Sequence, residues 1–128
     1  MAEGISLYLA HAWLGTLAGT SFSVGARYLQ LHTGSPGYYG TANISVGNTT
    51  RQSVTFGTPS NGAIVVTNSP NWTNTGHQET VTTVSLWDAS SGGHFLRSIQ
   101  LAAPVTWVGT NTLRLDAFGL SLSPMAGS

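Results

Sequence analysis

Clusters of turn-forming residues cut the chain into pieces of strand length from Ala26 onward. GSPGYYG at 34–40, TPSNG at 58–62 and ASSGG at 89–93 combine Gly, Pro, Asn and Ser, which bend the backbone where a strand interior would not tolerate it. Between and beyond them lie ARYLQLHT (26–33), RQSVTFG (51–57), AIVVT (63–67), TVTTVSLWD (80–88), HFLRSIQLA (94–102) and TLRLDAFGLSLS (112–123), the last reached through PVTWVGTN (104–111), which reads as a connection. In the first of these, Tyr28, Gln30 and His32 alternate with Leu29, Leu31 and Thr33 across two faces. Valine, threonine and aromatic residues suit a pleated, half-buried surface. TANISVGNTT (41–50) reads as a loop with a brief extended piece at Ile44 to Val46. NSPNWTNTGHQ (68–78) reads as mostly loop, anchored by Trp72. Roughly six to eight short strands so spaced predict a mainly β chain, a single β-sandwich or jelly-roll-like domain.

The first 25 residues follow a different rhythm. Ile5, Tyr8, Leu9, Ala12 and Trp13 recur at helical spacing until Gly15 and Gly19 interrupt them, which predicts one short amphipathic helix. The expected organisation is a helical segment and linker over 1–25, a β-sandwich domain over 26–123 and a tail over 124–128. Residues 4–26 carry no Asp, Glu, Lys or Arg. Their glycines, hydroxyls and His11 nonetheless make a poor membrane span, and no basic residue precedes the apolar run as a secretory signal requires.

Only 6% of the 128 residues are charged, four Arg against four Asp and Glu, with no lysine. A soluble domain ordinarily has about a quarter of its residues charged. The solvent shell must therefore be built from Ser, Thr, Asn and Gly, and a formal net charge of zero favours association. Arg27, Arg51, Arg97 and Arg114 are scattered singly, so no basic patch points to nucleic acid. Cysteine is absent, which excludes disulfides, thiolate metal sites and thiol nucleophiles. Such a composition suits a subunit covered by copies of itself or by a larger shell.

The ionisable residues do not assemble into a recognisable catalytic motif. His11, His32, His77 and His94 lack the spacing of a metal-binding helix or ribbon. His77 and Glu79 share one side of an extended segment and read as ordinary polar groups. There is no G-x-S-x-G elbow, and Asp88 near His94 reads as a turn aspartate that accepts backbone N–H bonds. Glu3, Glu79, Asp88 and Asp116 are too dispersed for a glycosidase pair. Arg114 and Asp116 fall on one strand face and read as a cross-strand pair rather than a partner-reading patch. The expectation is no enzyme, no cofactor, no metal, no nucleic acid and no membrane. Asn43, Asn48 and Asn71 match the glycosylation pattern, as chance allows in a chain rich in Ser, Thr and Asn. Among the aromatics, Phe56, Trp87, Phe95, Trp107 and Phe118 fall in or beside strands and read as core. Tyr38, Tyr39 and Trp72 sit in turn-rich segments, and with Tyr8 and Trp13 of the helix they are the candidate subunit-contact residues.

Several short motifs occur in a characteristic order: LQLHTGSPG (29–37), GTAN (40–43), TRQSVTFG (50–57), Trp72, LWDASSGGHFL (86–96), LAAPVTW (101–107) and TLRLDAFGLSLS (112–123). In order and spacing they resemble a family of small tailed-phage virion proteins, often labelled tail fibre or minor structural protein. The likeness extends from the helix to about Leu122. It departs at GSPG, where the family often has an acidic residue before Pro-Gly, and at TNT (110–112), which lacks the usual Gly-Asp turn. The resemblance implies a non-enzymatic virion component of β-sandwich type. The small, uncharged single domain points to a capsid decoration protein, binding the major capsid protein and copies of itself, with a trimer matching a threefold lattice position. The alternative is a tail-associated protein that binds the host surface.

Overall fold

The computed structural model describes residues 4–58, 63–68, 70–114 and 119–121. It is mainly β, with antiparallel sheets and one short N-terminal helix. β1 (Gly4–Ile5) leads into α1 (Leu7–Leu17); β2 (Tyr28–His32), β3 (Gln52–Ser53), β4 (Ala63–Val65) and β5 (Asn71–Thr73) follow. β6 (Glu79–Trp87), β7 (Phe95–Trp107), β8 (Thr112–Arg114) and β9 (Gly119–Ser121) complete the described elements. The main sheet has the order β1-β7-β6-β2-β3, and two ribbons, β4-β9 and β5-β8, accompany it.

Register decides the two faces of the main sheet. Leu29 lies opposite Leu86, Leu31 opposite Val84, and Val84 opposite Ile99, so one face is an apolar layer. Leu9, Val54, Val66, Trp72 and Leu113 join the same core, which brings helix and ribbons onto that layer. The opposite face carries Gln30, His32, Thr83, Ser85 and Ser98, all polar and all buried. Buried polar groups must be hydrogen-bonded, and here the 34–51 segment supplies partners. The His32 ring is 2.8 Å from the Ala42 carbonyl through Nδ1 and 2.7 Å from Ser85 Oγ through Nε2, while Trp87 Nε1 donates to the same Oγ. A neutral imidazole with its proton on Nδ1 satisfies all three groups. Gln30 Nε2 donates to the Thr49 carbonyl.

The helix is built at both ends by local chemistry. Ser6 Oγ accepts from Leu9 N–H at the start. At the finish Gly19 N–H donates to Thr16 and Thr20 N–H to Gly15, the Schellman pattern. Gly15 therefore lies within the helix, and termination occurs at Gly19. The first residues are not apart from the sheet: Gly4 and Ile5 pair with Ser98 and Arg97, and Leu9 is buried in the core.

Three expectations are corrected. Trp72 lies on a strand, not in a loop, because Asn71–Thr73 finds a partner in Thr112–Arg114. The strand at HFLRSIQLA runs on through PVTW, expected as connection, to make β7, and its register against β6 jumps between Gln100 and Val105. Pro104, which has no N–H for a ladder, is accommodated in that irregularity. TLRLDAFGLSLS divides into β8 and β9, which pair with different ribbons. Phe118, Asp116 and the 124–128 tail lie outside the described residues. No helix among the described residues is long and apolar enough to cross a membrane.

Candidate functional site

The 33–44 loop is held stiffly and ends in two outward tyrosines. Ala42 N–H donates to Pro36 O (2.9 Å), Asn43 Nδ2 to Ser35 O (2.9 Å) and Thr33 N–H to Asn43 O (2.8 Å). Gly37 N–H reaches Ser35 Oγ and Gly40 N–H reaches Gly37 O. Pro36 is buried. Gly40, at φ +76°, lies so close to the sheet that a Cβ would come within 2.6 Å of the Phe95 ring and 2.8 Å of Trp87. Between these fixed points Tyr38 and Tyr39 are 84% and 81% exposed. Residues 33–50 contain no ionisable group besides these two phenols.

Beneath the loop, the described charges whose contacts can be traced act as staples. The Arg51 guanidinium stacks 3.7 Å above the Trp87 ring and donates to the carbonyls of Ala89 and Gly92. Asp88 Oδ1 accepts from His94 N–H (2.6 Å), and Oδ2 lies 3.0 Å from His94 Nδ1. Burial pushes the Asp88 carboxyl up, yet the His94 contacts outweigh it and leave the pKa below the ordinary value. Asp88 is thus the turn aspartate expected of it. Gly93, at φ +72°, would set a Cβ 2.5 Å from Asp88 Oδ1, which explains the Gly-Gly of this turn. Tyr8 stacks flat on His94, ring centroids 3.9 Å apart.

Glu79 is the second staple. It accepts from Ser45 Oγ, Val46 N–H (3.1 Å), Gly47 N–H (3.2 Å) and Trp107 Nε1 (3.0 Å). Desolvation raises its pKa, but the four bonds together lower it. Glu79 thus reaches across to the 45–47 segment, while the His77 carbonyl accepts from Asn74 Nδ2. Among the described residues no three His, Asp or Glu groups are placed to hold a metal.

The five candidate contact residues therefore separate. Tyr38 and Tyr39 are fully presented, and Tyr8 is partly exposed above His94. Trp13 packs against the core. Trp72 is 1% exposed and donates Nε1–H to the Thr50 carbonyl, so it offers a neighbour no surface. Arg114 is exposed on β8 opposite Asn71. Sequence reasoning missed Leu7, Leu14 and Leu17, which α1 turns outward. Their signal was a second apolar stripe at seven- and ten-residue spacing, hidden behind the core-facing one.

A small β module, with traceable charges spent on fastening its loops and with tyrosines and leucines on its outside, has the build of a structural protein. The chain belongs to the family described as podophage GP4 fiber I protein gp80, whose model matches residues 4–123. It is therefore a tailed-phage structural protein of a fibre family. A search of curated proteins found no match. Residues from three of the motifs that suggested such a family meet in the fold, since Arg51 lies over the Trp87 ring and Gly40 lies close against Trp87 and Phe95.

Proposed function

We propose that the chain is a tail-associated fibre component that works in several copies and meets the host surface through the Tyr38–Tyr39 loop. The observation that carries this reading is the presentation of two adjacent, almost fully exposed tyrosines on a loop whose backbone is already braced. Rigid aromatic anchors give large amphipathic contact area at low entropic cost, and a Tyr, Ser, Gly and Asn composition is that of adaptable recognition loops. The loop has no charged group at neutral pH, so its partner is a neutral surface, with glycan rings against the tyrosine faces and hydroxyls against the phenols. The Asp88–His94 pair is structural in this reading, and the protein has no catalytic role.

Decoration of the capsid shell is the competing placement, favoured by the scarcity of charge. The fibre description of the family favours the tail. Quantitative mass analysis of purified particles separates the two: a tail component appears in a few to tens of copies, a shell component at a number comparable with the major subunit. The host-binding part is tested with particles or purified protein carrying Tyr38→Ala and Tyr39→Ala. Undiminished adsorption to host cells would count against it.

A further inference from the structure

Among the described residues, Arg97 is the one formal charge that the fold leaves unused. Arg51 stacks on Trp87 and donates to two carbonyls, Arg27 donates to the Val24 carbonyl, and Arg114 is engaged as well. Glu79 holds the 45–47 segment and Asp88 holds His94. Arg97 makes neither a hydrogen bond nor an ion pair with any described residue, and its Nε–H is buried without an acceptor. Register sets it in a row with Leu29, Leu86 and Ile5, and residues directly opposite one another share a face. A guanidinium with five donors thus stands at the margin of the apolar layer. The residue is only partly exposed, so the tip of the group reaches the surface while Nε does not. The first turn of α1, which follows Ile5, holds no acidic residue and supplies no counter-charge.

We infer that Arg97 receives a carboxylate from another virion protein, the one on which this chain is seated, with Ile5 and Leu7 bordering the contact. The inference rests on the reading of the chain as a particle-borne component and adds the chemistry of its partner. A half-desolvated guanidinium with no partner is matched in charge and in fork geometry by a carboxylate. Ile5 directly opposite and Leu7 two residues on are 44% and 72% exposed, and an arginine bordered by apolar side chains is what the hot spots of protein interfaces use. A further copy of this chain is a poor source of the acid, because Glu79 and Asp88 are already committed to their own loops. The tyrosine loop covers the polar face of the main sheet and Arg97 belongs to the apolar one, so this contact leaves Tyr38 and Tyr39 free.

Particles that lack this chain, mixed with the purified protein and sedimented, provide the test. Arg97→Met is expected to bind them roughly thirtyfold more weakly than the wild type, the cost of leaving one member of an interfacial ion pair alone. Arg97→Lys keeps the charge, loses the fork and should fall between the two. Wild-type binding should weaken as salt is raised. In the free protein Arg97→Met should melt no lower than the wild type, because it removes an unpaired charge and no bond. Equal binding of the wild type and Arg97→Met would overturn the inference. So would a clear fall in the melting temperature of Arg97→Met, which would make Arg97 a part of its own fold. A rise in wild-type melting with inorganic phosphate that Arg97→Met lacks, alongside equal particle binding, would assign the oxyanion to another source and also overturn it. A wild type that does not bind the particles would instead overturn the reading of the chain as a virion component, and this inference with it.

Discussion

Glu79 offers the sharpest test of how this chain uses its few charges. Changing it to Ala leaves the Ser45 hydroxyl, the Gly47 N–H and the buried Trp107 Nε1–H without their acceptor. A hydrogen bond to a charged group contributes about 1.5–3 kcal/mol, and an orphaned buried donor costs a similar amount. Glu79 is only partly buried, so water replaces some of the lost bonding, and roughly 3 kcal/mol is expected in total. For a domain of this size that is a fall of about 10 °C in Tm. Glu79→Gln keeps one accepting oxygen and should lose about half as much.

The pH dependence carries a definite sign. Because the folded pKa lies below the ordinary glutamate value, the unfolded chain binds more protons in the interval between the two. The stabilisation is complete above about pH 4.3 and is lost as pH falls through the folded value. Thermal melts of wild type, Glu79→Ala and Glu79→Gln from pH 7 to 3 check this. The wild type and the Gln variant should converge in acid. Equal melting at pH 7, or a gap that stays constant down to pH 3, would show that the carboxylate does not fasten the 45–47 segment.

Further outcomes follow from the same geometry. Gly40→Ala should destabilise by about 2 kcal/mol or more, because the position combines a positive φ with contact against Phe95 and Trp87; denaturant unfolding measures it, and a neutral result would mean the loop can lift off the sheet. Burial chiefly holds the His32 pKa below its ordinary value, against the opposing hydrogen bond that its ring donates to the Ala42 carbonyl. The unfolded chain therefore takes up the proton first, and wild-type stability should decline as pH drops below about 6.5. A His32→Gln variant, already less stable at pH 7, should lack that component of the decline. Tyr38→Ala/Tyr39→Ala should change stability by no more than about 0.5 kcal/mol, as exposed sites do, while reducing host adsorption; a large loss of Tm would show that the tyrosines are structural.

Much of this architecture is legible in the residues because turn chemistry is local. Gly-Gly before His94, Pro-Gly at 36–37 and the Ser6 cap each act within a few residues, so the mainly β class, the short helix and the turn role of Asp88 could be read in advance. The alternation of Leu29 and Leu31 with Gln30 and His32 was also visible. That both sets are buried was not, since covering the polar set depends on the 34–51 segment folding back over the sheet.

The chain by itself determined where it turns, which stretches extend and how little charge it can show a partner, because backbone preference and composition need no distant contact. Tertiary structure decided the rest. It took Trp72 inward by pairing β5 with a strand some forty residues away, set Glu79 on the 45–47 segment and chose which side of α1 is hidden. A helix carrying two apolar stripes does not say which will face its own core; only the sheet that receives Leu9 does, and the leucines left over then point outward.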